Sequence, residues 1–237
     1  MTKKADPAMD LASWRKSERE RLIAARERLD AATLERFRQR IDASLLRSFP
    51  GLTSATVAFC WPMRGEYDAR PLAALLRERG AVTALPVVVA PRQPLIFREW
   101  HEGVALAPGP LGIPYPEHSE PVHPTVALIP VNGWDEAGYR LGYGAGFFDR
   151  TLANAPRPIV AIGIGYELAK IATIRPQTWD VPMDWVVTER GVYRRDPPGL
   201  AFLAEPAPGE PGALASPVCY ADELDPDRFG DPDRPAR

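Results

Sequence analysis

Residues 139–150 read YRLGYGAGFFDR, with glycines at Gly142, Gly144 and Gly146, Arg140 before them and the pair Asp149 and Arg150 after. Alternate glycines let backbone N–H groups approach a ligand with no side chain in the way, an arrangement that suits an anion and phosphate above all. A helix beginning near Gly146 turns its positive end toward the same point. Arg140 can add a planar, permanently charged fork, and Asp149 a hard oxygen ligand able to hold Mg2+ against phosphate oxygens. The stretch predicts a nucleotide-phosphate site. It lacks the Gly-Lys-Ser/Thr of a P-loop, and its G-x-G-x-G lies well beyond the strand-like run TVALIP, whereas a dinucleotide fingerprint follows its strand directly. A dinucleotide with Glu167 as the ribose acid, or a ligand-free glycine corner, stays open on the spacing alone, although the corner leaves Arg140, Asp149 and Arg150 without a purpose.

Such a loop must be presented by a scaffold, and the flanking patterns describe one. The arginine-rich stretch 11–48 carries apolar residues at helical spacing and predicts two helices meeting near Asp30 to Thr33. TVAFCW reads as a buried strand, followed by turn signals at Pro62 and Gly65 and by an amphipathic helix, ARPLAALLRERG, that Gly80 ends. Further strands are expected at VTALPVVV, LIFREWH, TVALIP, PIVAIGI and WVVTE, with helices after Gly146 and near Glu167 to Ile171. Apolar strands alternating with helices imply a three-layer α/β/α fold with a mostly parallel sheet, in which binding loops lie at the carboxyl ends of strands. The glycine loop follows TVALIP and is correctly placed for a ligand.

Composition narrows the class. The 237 residues are 45% hydrophobic with a net charge of -2, enough apolar material for one sizeable core and no electrostatic case for nucleic acid. Two cysteines, Cys60 and Cys219, provide neither a disulfide framework nor a cysteine metal site, and His101, His118 and His123 lack metal-ligand spacing. A charged N-terminus and the lack of a long apolar run predict a cytoplasmic protein with no membrane partner, and a monomer is expected. From Asp196 onward stand nine acidic and three basic residues and nine of the 27 prolines, a composition that predicts a disordered tail over 196–237 behind a single domain over 1–195.

The glycine stretch resembles the signature of the 5-formyltetrahydrofolate cyclo-ligase family, R-L-G-x-G-x-G-Y-Y-D-R, and the resemblance runs from about Trp14 to about Glu189. It implies that Arg140, Leu141, Gly142, Tyr143, Gly144, Ala145, Gly146, Phe147 and Phe148 cradle ATP. RKSER, with Arg15, Lys16 and Arg19, is similar to the family's basic K-x-x-x-R contact with the same nucleotide. WPMRGEYD implies a folate pocket lined by Trp61, with Glu66 holding the pterin. RPQTWDVPMDWVVTE implies that Asp180 joins Asp149 at a magnesium ion. Phe147 and Phe148 replace the tyrosine pair, which keeps an apolar surface for the folate and loses two hydroxyls. The implied reaction is ATP- and Mg2+-dependent ring closure of 5-formyltetrahydrofolate to 5,10-methenyltetrahydrofolate, with Arg140 and Asp149 carrying the phosphoryl transfer. A non-catalytic folate and nucleotide binder, or a loop for another phosphorylated or CoA-like ligand, stays open beside it.

Overall fold

Asp10 and Asp30 start the two N-terminal helices. In the computed structural model, which describes residues 10–203, α1 spans Leu11–Arg26 and α2 spans Ala31–Ser48. The Asp10 carboxylate accepts from the N–H groups of Ala12 and Ser13, and Asp30 from that of Thr33, satisfying donors that a helix start leaves open. Two further helices follow, α3 at Arg70–Glu78 and α4 at Phe147–Ala153.

The strands are β1 (Thr56–Ala58), β2 (Val82–Val87), β3 (Ile96–Glu99), β4 (Leu106–Pro108), β5 (Pro114–Pro116), β6 (Pro121–Val122), β7 (Val126–Pro130), β8 (Gly133–Asp135), β9 (Arg140–Leu141), β10 (Val160–Ile164), β11 (Lys170–Ile171), β12 (Trp185–Thr188), β13 (Gly191–Asp196) and β14 (Gly199–Leu203). Nine form one sheet in the order β14-β13-β12-β10-β7-β1-β2-β3-β6. Its centre, from β12 to β2, is parallel, and both edges are antiparallel. The chain leaves β1 toward β2 and later returns to the other side of β1 as β7. The crevice between the carboxyl ends of β1 and β7 is therefore a topological switch point.

Alternation along the central strands divides the core into two faces. Val57, Leu128, Ile162 and Ile164 meet Ile41 and Leu45 of α2 and Leu72 and Leu76 of α3 on one. On the other, Ala84, Ala58, Ala127 and Ala161 stand in register across four adjacent strands. This row of small side chains leaves a shallow trough that the Phe147, Phe148 and Leu152 side chains of α4 fill. The three layers expected from the sequence are thus present, and the trough fixes where α4, and the glycine loop ahead of it, must sit.

Two expectations are corrected. The helix expected near Glu167 to Ile171 is a single 3-10 turn, Glu167–Ala169, running into the two-residue β11. The domain does not stop at residue 195: Asp196 completes β13, and β14 pairs with it along its length, with Phe202 packed on Tyr193. The two prolines before Gly199 mark a turn between strands, and GLAFL is apolar enough to pair as an edge. The rest of the tail expectation, over 204–237, lies outside the described residues. No helix among the described residues is long and apolar enough to cross a membrane.

Candidate active site

The two loops that leave the switch point carry different chemistry. The loop after β7 begins with Asn132, forms the β8–β9 hairpin and ends in the glycines. Buried Asp135 organises it by accepting from the N–H groups of Ala137 and Tyr139 and, through its second oxygen, from that of Ile174. One carboxylate thus ties the hairpin to the closing segment around residues 174–181. Gly144 and Gly146 have φ of +98° and +65°, conformations that side chains disfavour, and guanidinium groups lie against both. A Cβ on Gly144 would stand 3.2 Å from Arg19 Nη2, and one on Gly146 3.1 Å from Arg150 Nη1. Arg19 Nε donates to the Gly142 carbonyl at 2.6 Å, and Arg150 donates to the Ala145 carbonyl while stacking over the Phe147 ring. The loop is a backbone cradle lined by two cations. Burial, and then the charge of nearby Arg15, lower the pKa of Arg19.

Other residues expected at this end behave differently. Arg140 is buried, with 4% of its side chain exposed, and donates to the Val181 carbonyl at 2.7 Å and to Asp149 Oδ1 at 2.9 Å. It is the holder of Asp149 rather than a fork facing phosphate, because β9 turns this side chain into the protein. Asp149 Oδ1 also accepts from the Val181 N–H, and its Oδ2 makes no hydrogen bond among the described residues. Asp180 is engaged on both oxygens, accepting from Arg15 Nη1 and Nη2 and from the Gln177 N–H. Asp149 and Asp180 are therefore not the equal pair expected from the sequence: one carboxylate has a free oxygen and the other is an arginine's counter-ion. Arg15 also donates to the carbonyls of Ile174 and Arg175, which pins α1 to the closing segment. Lys16 stands away from this network, 73% exposed and 4.0 Å from Glu20, and does not join the cradle. Phe147 and Phe148, expected at the substrate, are partly buried and pack into the alanine trough.

The loop after β1 carries Cys60, Trp61 and Glu66. Glu66 is buried, with 4% of its side chain exposed, and faces Arg26 Nη2 at 3.6 Å. Its Oε1 accepts from the Tyr143 hydroxyl at 2.8 Å, and its Oε2 from the Met63 N–H at 3.1 Å. Burial pushes the Glu66 pKa up, against the pull of Arg26, Tyr143 and Met63. The same carboxylate, after burial itself, helps raise the Tyr143 hydroxyl to about 12. Two small adjoining cavities flank the group: Glu66, Cys60 and Leu128 line one, Arg26, Asn132 and Tyr166 the other, and Tyr67 and Ile164 both. Trp61 is half-buried against the main core cluster, with Arg70 stacked 4.7 Å over its ring.

Arg26 and Asn132 were not singled out from the sequence. Arg26 donates to Asn132 Oδ1 at 2.9 Å, to the Arg64 carbonyl and to the Tyr143 hydroxyl, and so joins α1 to both loops. A signal was present: Arg26 follows Leu22 and Ile23 by four and three positions, on the face that α1 buries. A charge on an apolar helix face needs a buried partner.

Fold and site together define an α/β protein with an arginine-lined glycine loop beside a buried carboxylate at the switch point of its sheet. The model of the 5-formyltetrahydrofolate cyclo-ligase family matches residues 11–189, and the chain belongs to that family, whose members are ligases. It is 30% identical over 178 residues to the 5-formyltetrahydrofolate cyclo-ligase of Escherichia coli K12, covering 71% of this chain and 98% of the relative. The cyclo-ligase of Mycolicibacterium smegmatis is 30% identical over 153 residues, 60% of this chain and 77% of the relative. Among solved structures, the Aquifex aeolicus 5,10-methenyltetrahydrofolate synthetase superposes with a TM-score of 0.68 at 26% identity, over 83% of this chain and 98% of that one. The Mycoplasma pneumoniae synthetase shares the fold, with a TM-score of 0.61 at 20% identity, over 74% of this chain and 98% of that one.

Proposed function

We propose that this protein closes the ring of 5-formyltetrahydrofolate to give 5,10-methenyltetrahydrofolate, consuming MgATP and releasing ADP and phosphate. The observation that carries the reading is the juxtaposition of a cation-lined glycine cradle and a buried carboxylate, on loops from neighbouring strands, linked by Tyr143. Phosphates fit the backbone of residues 142–146 between Arg19 and Arg150. The pterin fits Glu66, whose carboxylate can accept a pair of adjacent N–H groups, with Trp61 and the cavities supplying apolar wall.

The formyl amide oxygen of the substrate is a poor leaving group and its carbon a poor electrophile. Transfer of the γ-phosphoryl group from ATP to that oxygen, with ADP as the leaving group, corrects both. N10 then attacks the formyl carbon, the C–O bond breaks to release phosphate, and N10 gives up its proton. No protein nucleophile is needed. The work of the chain is to hold two substrates in line and to neutralise the moving charge with Arg19 and Arg150. Asp149, with one oxygen free of hydrogen bonds among the described residues, is the residue that would hold a magnesium ion. When bound, such an ion would supply charge neutralisation for phosphoryl transfer. Arg140 keeps Asp149 aimed, and Asp180 serves through Arg15, which locks α1 over the cradle.

Absorbance of the methenyl product, followed with purified protein, 5-formyltetrahydrofolate and MgATP, tests the reading. ADP released in step with product supports it. Binding of both ligands without ADP would favour a storage role instead.

A further inference from the structure

One contact in the site is without a role in that chemistry. Both oxygens of Glu66 are taken from inside the protein, Oε1 by the Tyr143 hydroxyl and Oε2 by the Met63 N–H. Each oxygen could accept a further donor, but with 4% of the side chain exposed a pterin cannot reach this carboxylate until one of the groups covering it moves aside. Met63 is fixed in the tight turn in which the Glu66 N–H donates back to the Met63 carbonyl, and Arg26 is anchored by Asn132 and the Arg64 carbonyl. Tyr143 is the donor with freedom to go: its side chain is half-exposed and held at its tip alone by the Glu66 and Arg26 contacts.

The backbone on either side of Tyr143 answers to the other site. Arg19 donates to the Gly142 carbonyl, and its guanidinium lies against Gly144. A phosphate in the cradle is a stronger acceptor for that guanidinium than a carbonyl is. When Arg19 turns to the phosphate, the 142–144 segment loses the hold that keeps Tyr143 on Glu66.

We propose that Tyr143 couples the two sites: with the cradle empty its hydroxyl covers Glu66, and a nucleoside triphosphate in the cradle withdraws it and uncovers the carboxylate for the folate. This rests on the assignment of ATP to the glycine loop and folate to Glu66. Tyr143 acts as a positioning residue, and by linkage folate must tighten nucleotide binding by the same factor.

The test is calorimetric titration of 5-formyltetrahydrofolate into the full chain, alone and saturated with a non-hydrolysable ATP analogue and Mg2+, for wild type and Tyr143→Phe. For wild type the nucleotide should tighten folate about tenfold, within the usual range of couplings. Tyr143→Phe should bind folate without nucleotide as tightly as nucleotide-loaded wild type does, leaving a ratio near one. A wild-type ratio of one would overturn the coupling and leave both site assignments standing. The full ratio retained in Tyr143→Phe would remove Tyr143 from it. Folate failing to bind wild type under either condition would instead sink the assignment on which the coupling rests, and the coupling with it.

Discussion

The glycine loop and the Glu66 pocket lie at the ends of neighbouring strands, yet they are built on opposite physical principles. The loop uses backbone N–H groups and two arginines beside open glycines, so it is rich in positive charge and close to solvent. The pocket uses one buried carboxylate whose charge is balanced by one buried arginine. An end built from several weak donors tolerates local change because they share the load. A buried pair does not, since loss of one partner strands the other.

The sharpest way to break that contrast is Arg26→Leu. It leaves Glu66 buried without a counter-charge and should cost about 3–5 kcal/mol of stability. Chemical denaturation measures it, and the double change Arg26→Leu with Glu66→Leu should recover much of the loss. Recovery of none would mean that Arg26 supports the fold through Asn132 and Arg64 rather than through the pair.

At the loop end, Asp149→Asn should lower turnover by about two orders of magnitude while leaving folding close to wild type. Asparagine still offers an acceptor to Arg140 and the Val181 N–H, and loses only the anionic ligand. Added Mg2+ should restore part of the rate. Asp180→Asn, acting through Arg15, should lose less and respond little to Mg2+, which a magnesium titration of both variants decides.

These two ends were not equally legible in the sequence. The glycine loop was readable because its information is local: three glycines, their flanking charges and the strand before them lie within residues 125–150. The pocket was readable only in part, since Arg26 and Glu66 are forty positions apart and meet through the packing of α1 on the loop after β1. The inward turn of Arg140 was hidden for a different reason. In a two-residue strand no alternation exists to reveal which face is buried. The packing of Phe147 and Phe148 on the sheet was hidden because nothing local announces the alanine row, which exists only once four strands are in register.

Glu66→Gln sharpens the comparison from the folate side. Folate affinity should fall about tenfold, the effect of losing one charge-assisted interaction of about 1.4 kcal/mol, with ATP affinity unchanged. Stability carries a second signature. Because the folded pKa of Glu66 lies above its ordinary 4.5, the folded state binds the proton more tightly than the unfolded chain does. Wild type should therefore lose stability as pH rises from 4.5 through the folded pKa, and Glu66→Gln should lack that increment. Identical pH profiles would contradict the burial assigned to this carboxylate.

The smallest effects separate two glycines of one loop. Gly144→Ala forces a side chain into a positive φ and against Arg19, at a cost of about 1–2 kcal/mol, and should weaken ATP. Gly142→Ala meets no atom within 4 Å and should be nearly silent in both thermal melting and nucleotide titration.

The central claim is that the two ends work on one reaction, and stoichiometry tests it most directly. With purified protein, 5-formyltetrahydrofolate and MgATP, one ADP should form for each methenyl product, and neither should form when folate or ATP is left out. ADP release that proceeds at the same rate without folate, or methenyl formation without ATP, would contradict the account.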